Sequence, residues 1–202
     1  MTRRDLFAMM AVSVALWAPC AGATTYQIDP THSTVGFKVR HLFSKVDGVF
    51  RDVSGSFDYV PGHPEQWKAA TTIQATSIDT RVEKRDQHLR SADFFDVATF
   101  PILTFTSTGV TDATDTTAKL HGTLALHGVE KPIVLDVTIH GEGKDPWGGQ
   151  RSGFTATAVI NRTDFGLTWN KAVEAGQMLV GDDVEILIEV EGVAKPSRAV
   201  DR

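Results

Sequence analysis

The 202-residue chain has a single cysteine, Cys20. One thiol can form neither an internal disulfide nor a cysteine-rich zinc or iron–sulfur site. The chain also lacks a strong positive charge. Its formal net charge of -5 argues against a broad electrostatic grip on nucleic acid. Several catalytic signatures are missing as well. There is no Gly-x-Ser-x-Gly elbow, no Gly-x-x-x-x-Gly-Lys-Ser/Thr loop, no Gly-x-Gly-x-x-Gly turn and no His-Glu-x-x-His pair. No apolar run reaches the roughly 20 residues that a membrane-spanning helix needs. A hydrophobic content of 42% nevertheless supplies a core and excludes a disordered chain.

The N-terminus has the three parts of a secretory signal. Arg3 and Arg4 open it, an apolar run from Leu6 to Trp17 follows, and Ala21-Gly22-Ala23 offers small residues before a cut. Residues 1–23 are therefore predicted to be a cleaved signal peptide, which places the mature protein in the periplasm. The cut leaves 179 residues, removes Cys20 and takes the charge from -5 to about -6. The alternative is cleavage just before Cys20 and acylation of its thiol. Residues 24–195 read as one domain and residues 196–202 as a polar tail.

The domain is patterned for strands. Val35, Phe37 and Val39 alternate with Gly36, Lys38 and Arg40. Ile133, Leu135, Val137 and Ile139 oppose Asp136, Thr138 and His140. Val184, Ile186, Ile188 and Val190 oppose Glu185, Glu189 and Glu191. Period-two alternation with one polar face predicts antiparallel sheet. Similar stretches near 50–60, 68–78, 101–110, 120–127 and 151–161 bring the number of strands to about eight, with His127-Gly128 as a tight link. Eight antiparallel strands make a sandwich or a closed barrel. One segment departs from the pattern. Thr80 to Arg90 predicts a short helix, with Thr80 and Glu83 spaced for a capping box and Asp86 and Arg90 for an i,i+4 pair.

The candidate chemistry is sparse. Seven histidines, His32, His41, His63, His88, His121, His127 and His140, lack metal-ligand spacing. His121 and His127 would lie roughly 20 Å apart on one extended strand. Asp182-Asp183 and Asp93/Asp96 read as turn and cap residues. Arg85-Asp86 and Arg162-x-Asp164 read as ion pairs at a barrel end, or as arginines that meet an anionic head group. No catalytic residue and no metal ligand is assigned. Eleven phenylalanines point either to a packed core or to a pocket for a long apolar ligand.

An ordered series of motifs runs along the chain. Tyr26-x-Ile28-Asp29-x-x-His32-Ser33-x-Val35-x-Phe37 comes first, followed by Gly48-x-Phe50 and Gly55-x-Phe57. Ser77-Ile78-x-Thr80 and Arg85-Asp86-x-His88-Leu89-x-Ser91-x-Asp93-Phe94-Phe95 follow. Pro101-x-Leu103-x-Phe105-x-Ser107 and Gly122-x-Leu124-x-Leu126-x-Gly128-Val129-x-Lys131-Pro132 come next, then Arg162-x-Asp164-Phe165-Gly166 and Gly181-Asp182-Asp183-Val184. In these marks the chain resembles the YceI-like family of secreted bacterial lipid- or polyisoprenoid-binding proteins. The resemblance implies an all-β fold, an extended eight-stranded antiparallel lipocalin-like β-barrel with a short helix. It also implies an elongated apolar cavity for an isoprenoid, quinone-like or fatty chain.

From strand parity, the expected cavity lining is Phe37, Val39, Phe57, Ile73, Phe105, Leu124, Leu135, Val137, Phe154, Ile186 and Ile188. No cofactor is expected beyond a bound isoprenoid lipid or quinone. The expected partner is an amphiphilic lipid and not nucleic acid, with a membrane redox protein and a second copy of the chain as further candidates. The leading function is a periplasmic carrier that sequesters such a lipid. The rivals are a periplasmic metal- or His/Asp-dependent enzyme on a small substrate, and a quinone-linked partner of a membrane cytochrome.

Overall fold

The computed structural model describes residues 23–172 and 178–195. The predicted signal peptide, except its last residue, and the polar tail lie outside the described residues. Eleven strands form one antiparallel sheet: β1 (Thr24–Ile28), β2 (Thr34–His41), β3 (Ser44–Phe50), β4 (Val53–Tyr59), β5 (Lys68–Gln74), β6 (Ile78–Asp79), β7 (Ile102–Thr111), β8 (Thr117–Leu126), β9 (Val129–Lys144), β10 (Gln150–Asn161) and β11 (Val180–Ala194). One helix, α1 (Glu83–Arg90), lies between β6 and β7.

Eight of these strands close a ring in the order β1-β4-β5-β7-β8-β9-β10-β11, and β11 returns to β1. The other three continue the same paths past a bend. Residues 29–33 separate β1 from β2, Arg51 and Asp52 separate β3 from β4, and a 3-10 turn at Ala75–Ser77 separates β5 from β6. Each pair is one bent path, so the chain makes an eight-stranded closed barrel with one short helix. The inward apolar parity changes across each bend, from Ile28 to Val35, from Phe50 to Val53 and from Ile73 to Ile78.

Most links along the barrel are short. His127 (φ 53) and Gly128 (φ 74) make the two-residue turn between β8 and β9. Positive φ at both central positions is the twist that such a hairpin needs. The tight link expected at His127-Gly128 is this turn, and His127 does not share the extended strand of His121.

The seam of the barrel is β11. One edge pairs with β10 over eleven positions. The other edge meets β1 at Gly192–Ala194 and β2 along Val180–Glu189. The contact with β1 is only three residue pairs long, and a charge knot sits beside it. The Arg151 guanidinium on β10 bonds Asp29 (2.9 Å), Asp145 (2.8 Å) and Glu191. Three carboxylates hold Arg151 firmly protonated. Asp29, just past β1, also accepts from the Thr31 hydroxyl (2.6 Å) and faces His32 Nδ1 (2.8 Å). These bonds, the Thr31 hydroxyl first, then His32 and Arg151, hold its carboxyl well below the usual range.

Helix α1 covers one side of the barrel. Leu89 packs on the core cluster of Phe50, Ile78 and Phe165, and so does Phe95 just beyond the helix. The predicted capping box does not form. Val82 is the N-cap residue and supplies no side-chain cap bond, while Thr80 is buried and donates its amide (2.9 Å) and hydroxyl to Asp86. Asp86 is thereby engaged, and Arg90 turns instead to the carbonyls of Thr76 (2.9 Å) and Ile78 (2.8 Å).

Because Asp29 is depressed in the folded chain relative to about 3.9 when unfolded, its contribution is present above about pH 4. It is lost as pH falls toward the folded value. Asp29→Asn should lower the melting temperature at pH 7. Between about pH 5 and pH 3 the parent should lose melting temperature more steeply than the variant. Parallel slopes in thermal melts over that range would remove Asp29 from the acid response.

Candidate functional site

The inner faces of the strands surround a cavity of about 670 Å³. That lies within the range of small-molecule pockets, roughly 300–1,000 Å³. The eleven residues named from parity, Phe37, Val39, Phe57, Ile73, Phe105, Leu124, Leu135, Val137, Phe154, Ile186 and Ile188, all lie along it. They come from eight strands, and barrel closure brings them together.

Small residues set the wall. Phe37 faces Gly48 across the β2–β3 pair, and a Cβ at Gly48 would collide with the Phe37 ring and the Thr80 methyl. Gly122 stands under the Phe105 ring in the same way. Each ring can therefore lie against the wall instead of crossing the lumen. Ala118 and Ala156 also line the space.

The two ends differ. One end is an aromatic layer. Tyr26 stacks on Phe57 at 5.1 Å, and Phe57 and Tyr59 meet Phe154 edge-on at 5.2 and 5.0 Å. Trp67 tilts against Tyr59 at 4.9 Å and donates its indole N–H to the Val60 carbonyl at 2.7 Å. Tyr26 is fully buried and donates its hydroxyl to Glu142 at 2.8 Å. Burial, reinforced by that carboxylate, pushes its phenol up to about 12. Desolvation also raises Tyr59. Both phenols stay neutral over the physiological range.

The other end is framed by α1, the β2–β3 hairpin and the segment before β11. Val82, Lys84, Arg85 and His88 of the helix region, His41 of β2, Trp169 and Leu179 line the cavity there. His88 meets Trp169 edge-on at 4.8 Å and Phe94 at 5.0 Å. Parity could not have found this end, because its residues belong to a helix and loops. The spacing of Val82, Arg85 and Leu89 on one helix face was the available signal.

The paired charges resolve into long-range bonds. Arg162 is buried and donates to the carbonyls of Gly181 (2.9 Å), Leu167 and Trp169 (3.0 Å), with its ion pair to Asp182 at 2.8 Å. The nearby Asp164 is not its partner. Arg162 therefore locks the start of β11 to the 3-10 turn at Arg162–Phe165. Arg85 does not pair with Asp86 and bonds Thr80 instead.

One trio among the described residues has metal-ligand spacing. The ligand atoms of Asp29, His32 and Glu191 lie within 4.8 Å of one another. Arg151 donates to both of its carboxylates, so a guanidinium already supplies the positive charge that a metal would bring.

The model of the YceI-like domain matches residues 26–192. The chain belongs to the YceI-like family. A UPF0312 protein of Pseudomonas putida is 39% identical over 194 residues, which is 94% of this chain and 97% of that protein. Among solved structures, the Campylobacter jejuni YCEI protein is 36% identical with a TM-score of 0.68, over 85% of this chain and 98% of the other. A polyisoprenoid binding domain from Saccharophagus degradans, implicated in plant cell wall breakdown, has a TM-score of 0.65 at 19% identity, over 85% of this chain and 99% of the other. At that identity the likeness is one of fold.

A YceI-like wall built around a cavity makes a specific prediction. Ile78 is fully buried within the packed core, whereas Ile188 lines the cavity. Ile78→Ala should cost about 3–5 kcal/mol, because it opens a hole in close-packed surroundings. Ile188→Ala should cost about 2 kcal/mol or less, because that side chain has fewer neighbours to lose. Urea denaturation of the two variants gives the comparison, and equal costs would mean that Ile188 is packed as tightly as Ile78.

Proposed function

We propose that this protein is a periplasmic carrier that sequesters a long-chain isoprenoid lipid, of polyprenyl or quinone type, in the barrel cavity. The observation that carries this reading is the continuous apolar lining, drawn from eight strands and capped at one end by aromatic rings. Each methylene moved from water into such a lining is worth about 0.8 kcal/mol, so about a dozen would contribute roughly 10 kcal/mol before ordering costs of several kcal/mol. Chain burial alone supplies useful affinity, and the reading is of a binding protein, not an enzyme. The Saccharophagus degradans neighbour, a polyisoprenoid binding domain, supports the ligand class through shared architecture. Residues 1–23 support export.

Native mass spectrometry of protein purified without detergent should reveal a bound chain amphiphile. The intact mass of periplasmic material should lack residues 1–23. Ala156→Phe, which places a ring in the middle of the lumen, should weaken polyprenol binding about tenfold or more while the variant still melts cooperatively. Absence of co-purified lipid, together with no binding of added quinone or polyprenol, would overturn the reading.

A further inference from the structure

Two local preferences of the chain are overridden at the helix end of the cavity, and each leaves an apolar side chain in water. The β2–β3 hairpin turns through Leu42 and Phe43, between the paired residues His41 and Ser44. Two-residue hairpin turns favour Gly, Asn or Asp, because at least one central position takes positive φ. Here Leu42 takes it (φ 48), a costly conformation for a bulky side chain. Phe43 is left 85% exposed at the tip. The second case is the start of α1. A cap position favours Ser, Thr, Asp or Asn, yet Val82 occupies it, supplies no capping bond and is 46% exposed. Folded chains override such preferences chiefly where function requires it.

The two places belong to one surface. Leu42 donates its amide to the Leu179 carbonyl at 3.0 Å, and Met178, one residue earlier, is 53% exposed. Arg81, next to Val82, pairs with Asp47 on β3. His41, Val82 and Leu179 all line the cavity. Phe43, Met178 and Val82 therefore stand around the same cavity end.

The charges beside these tips have one sign in excess. The described stretches 40–45, 81–85, 169–172 and 178–183 hold six Lys or Arg (Arg40, Lys45, Arg81, Lys84, Arg85 and Lys171) against three acids (Glu83, Asp182 and Asp183). Buried Arg162 adds a further cation beside Asp182. The whole chain carries -5, so this end is a positive zone on an acidic protein. Exposed apolar tips among cations suit the boundary of an anionic bilayer. Apolar side chains enter the head-group region there, while ammonium and guanidinium groups stay with the phosphates. The other end of the barrel offers an internal comparison. Trp147 is 86% exposed in the β9–β10 turn, on the hairpin whose Glu142 bonds Tyr26. Residues 142–150 around it hold two acids and one lysine, so that ring lacks the positive surround.

We infer that the helix end is a membrane-docking surface: Phe43, Met178 and Val82 enter the interface of a bilayer containing anionic phospholipid, and the neighbouring Lys and Arg hold the protein against it. Docking needs nothing in the lumen, so it stands apart from the carrier reading. Where both hold, the cavity meets the bilayer at this end.

Co-sedimentation with vesicles at low ionic strength tests the surface, comparing equal parts of phosphatidylglycerol and phosphatidylethanolamine with pure phosphatidylcholine. The protein should bind the phosphatidylglycerol vesicles about tenfold or more tighter, and added salt should weaken that binding. Phe43→Ser combined with Met178→Ser should weaken it about tenfold or more, since burial of both apolar side chains is lost. The melting temperature should not change, because both residues are exposed. Lys84→Gln combined with Lys171→Gln should weaken binding severalfold and flatten its salt dependence. Trp147→Ser should leave binding unchanged. Equal binding to the two vesicle types would overturn the surface, and so would loss of binding with Trp147→Ser but not with the Phe43/Met178 double variant. A parent that ignores both vesicles and sediments as a dimer, which the same double variant converts to monomer, would overturn it in favour of a second copy of the chain. Calorimetry with added polyprenol reads the carrier proposal separately. Its failure, with vesicle binding intact, would overturn the carrier and uphold the docking surface.

Discussion

Closure along β11 is the constraint on which everything else depends. An eight-stranded sheet with an open edge would leave a row of unpaired amides and carbonyls and an apolar face with nothing to bury it. β11 avoids both. It is long enough, from Val180 to Ala194, to pair with β10 along one edge and with β1 and β2 in succession along the other. Arg151 joins the two sides of the short β1 contact through Asp29 and Glu191, and Arg162 fixes the start of the strand through Gly181 and Asp182. Two arginines thus hold the two ends of one seam. The cavity exists because that seam shuts.

Closure fixes the number of strands but not what fills the lumen. With eight strands the interior is just wide enough to be filled by side chains or to hold a ligand. Here glycine placement favours the second outcome. With Gly48 beneath Phe37 and Gly122 beneath Phe105, large rings spread along the wall. A larger residue at either position would displace a ring inward. The same phenylalanines that would pack a solid core therefore line a cavity, and composition cannot distinguish the two arrangements.

This explains what the sequence made legible. The strands and the inward residues followed from alternation, since a side-chain period of two assigns a face without knowledge of partners. All eleven lining residues named that way lie on the cavity. What escaped was whatever depends on residues far apart in the chain. Arg162 took Asp182 in place of Asp164. Thr80, spaced for a helix cap, went inward to Asp86. Local spacing offered plausible pairs in both cases; Arg162 found its partner across the fold at Asp182, whereas Thr80 found Asp86 one turn beyond Glu83 in the same segment. The helix end of the cavity escaped for the same reason, as three segments with unrelated local patterns meet there.

The barrel axis is chemically polar, and this follows from how its two ends are built. The aromatic end is built on paired strands, β1, β4 and β5, which carry Tyr26, Phe57, Tyr59 and Ala69. Two of the polar groups there are bonded internally, Tyr26 to Glu142 and Trp67 to Val60. At the other end a helix and two loops replace strand pairing. A helix presents side chains around its whole circumference, so α1 can put Leu89 into the core and Lys84 and Arg85 at the cavity edge within a single turn or two. The departure from strand patterning at Thr80–Arg90 therefore marks the place where charged and apolar side chains meet at one end of the cavity.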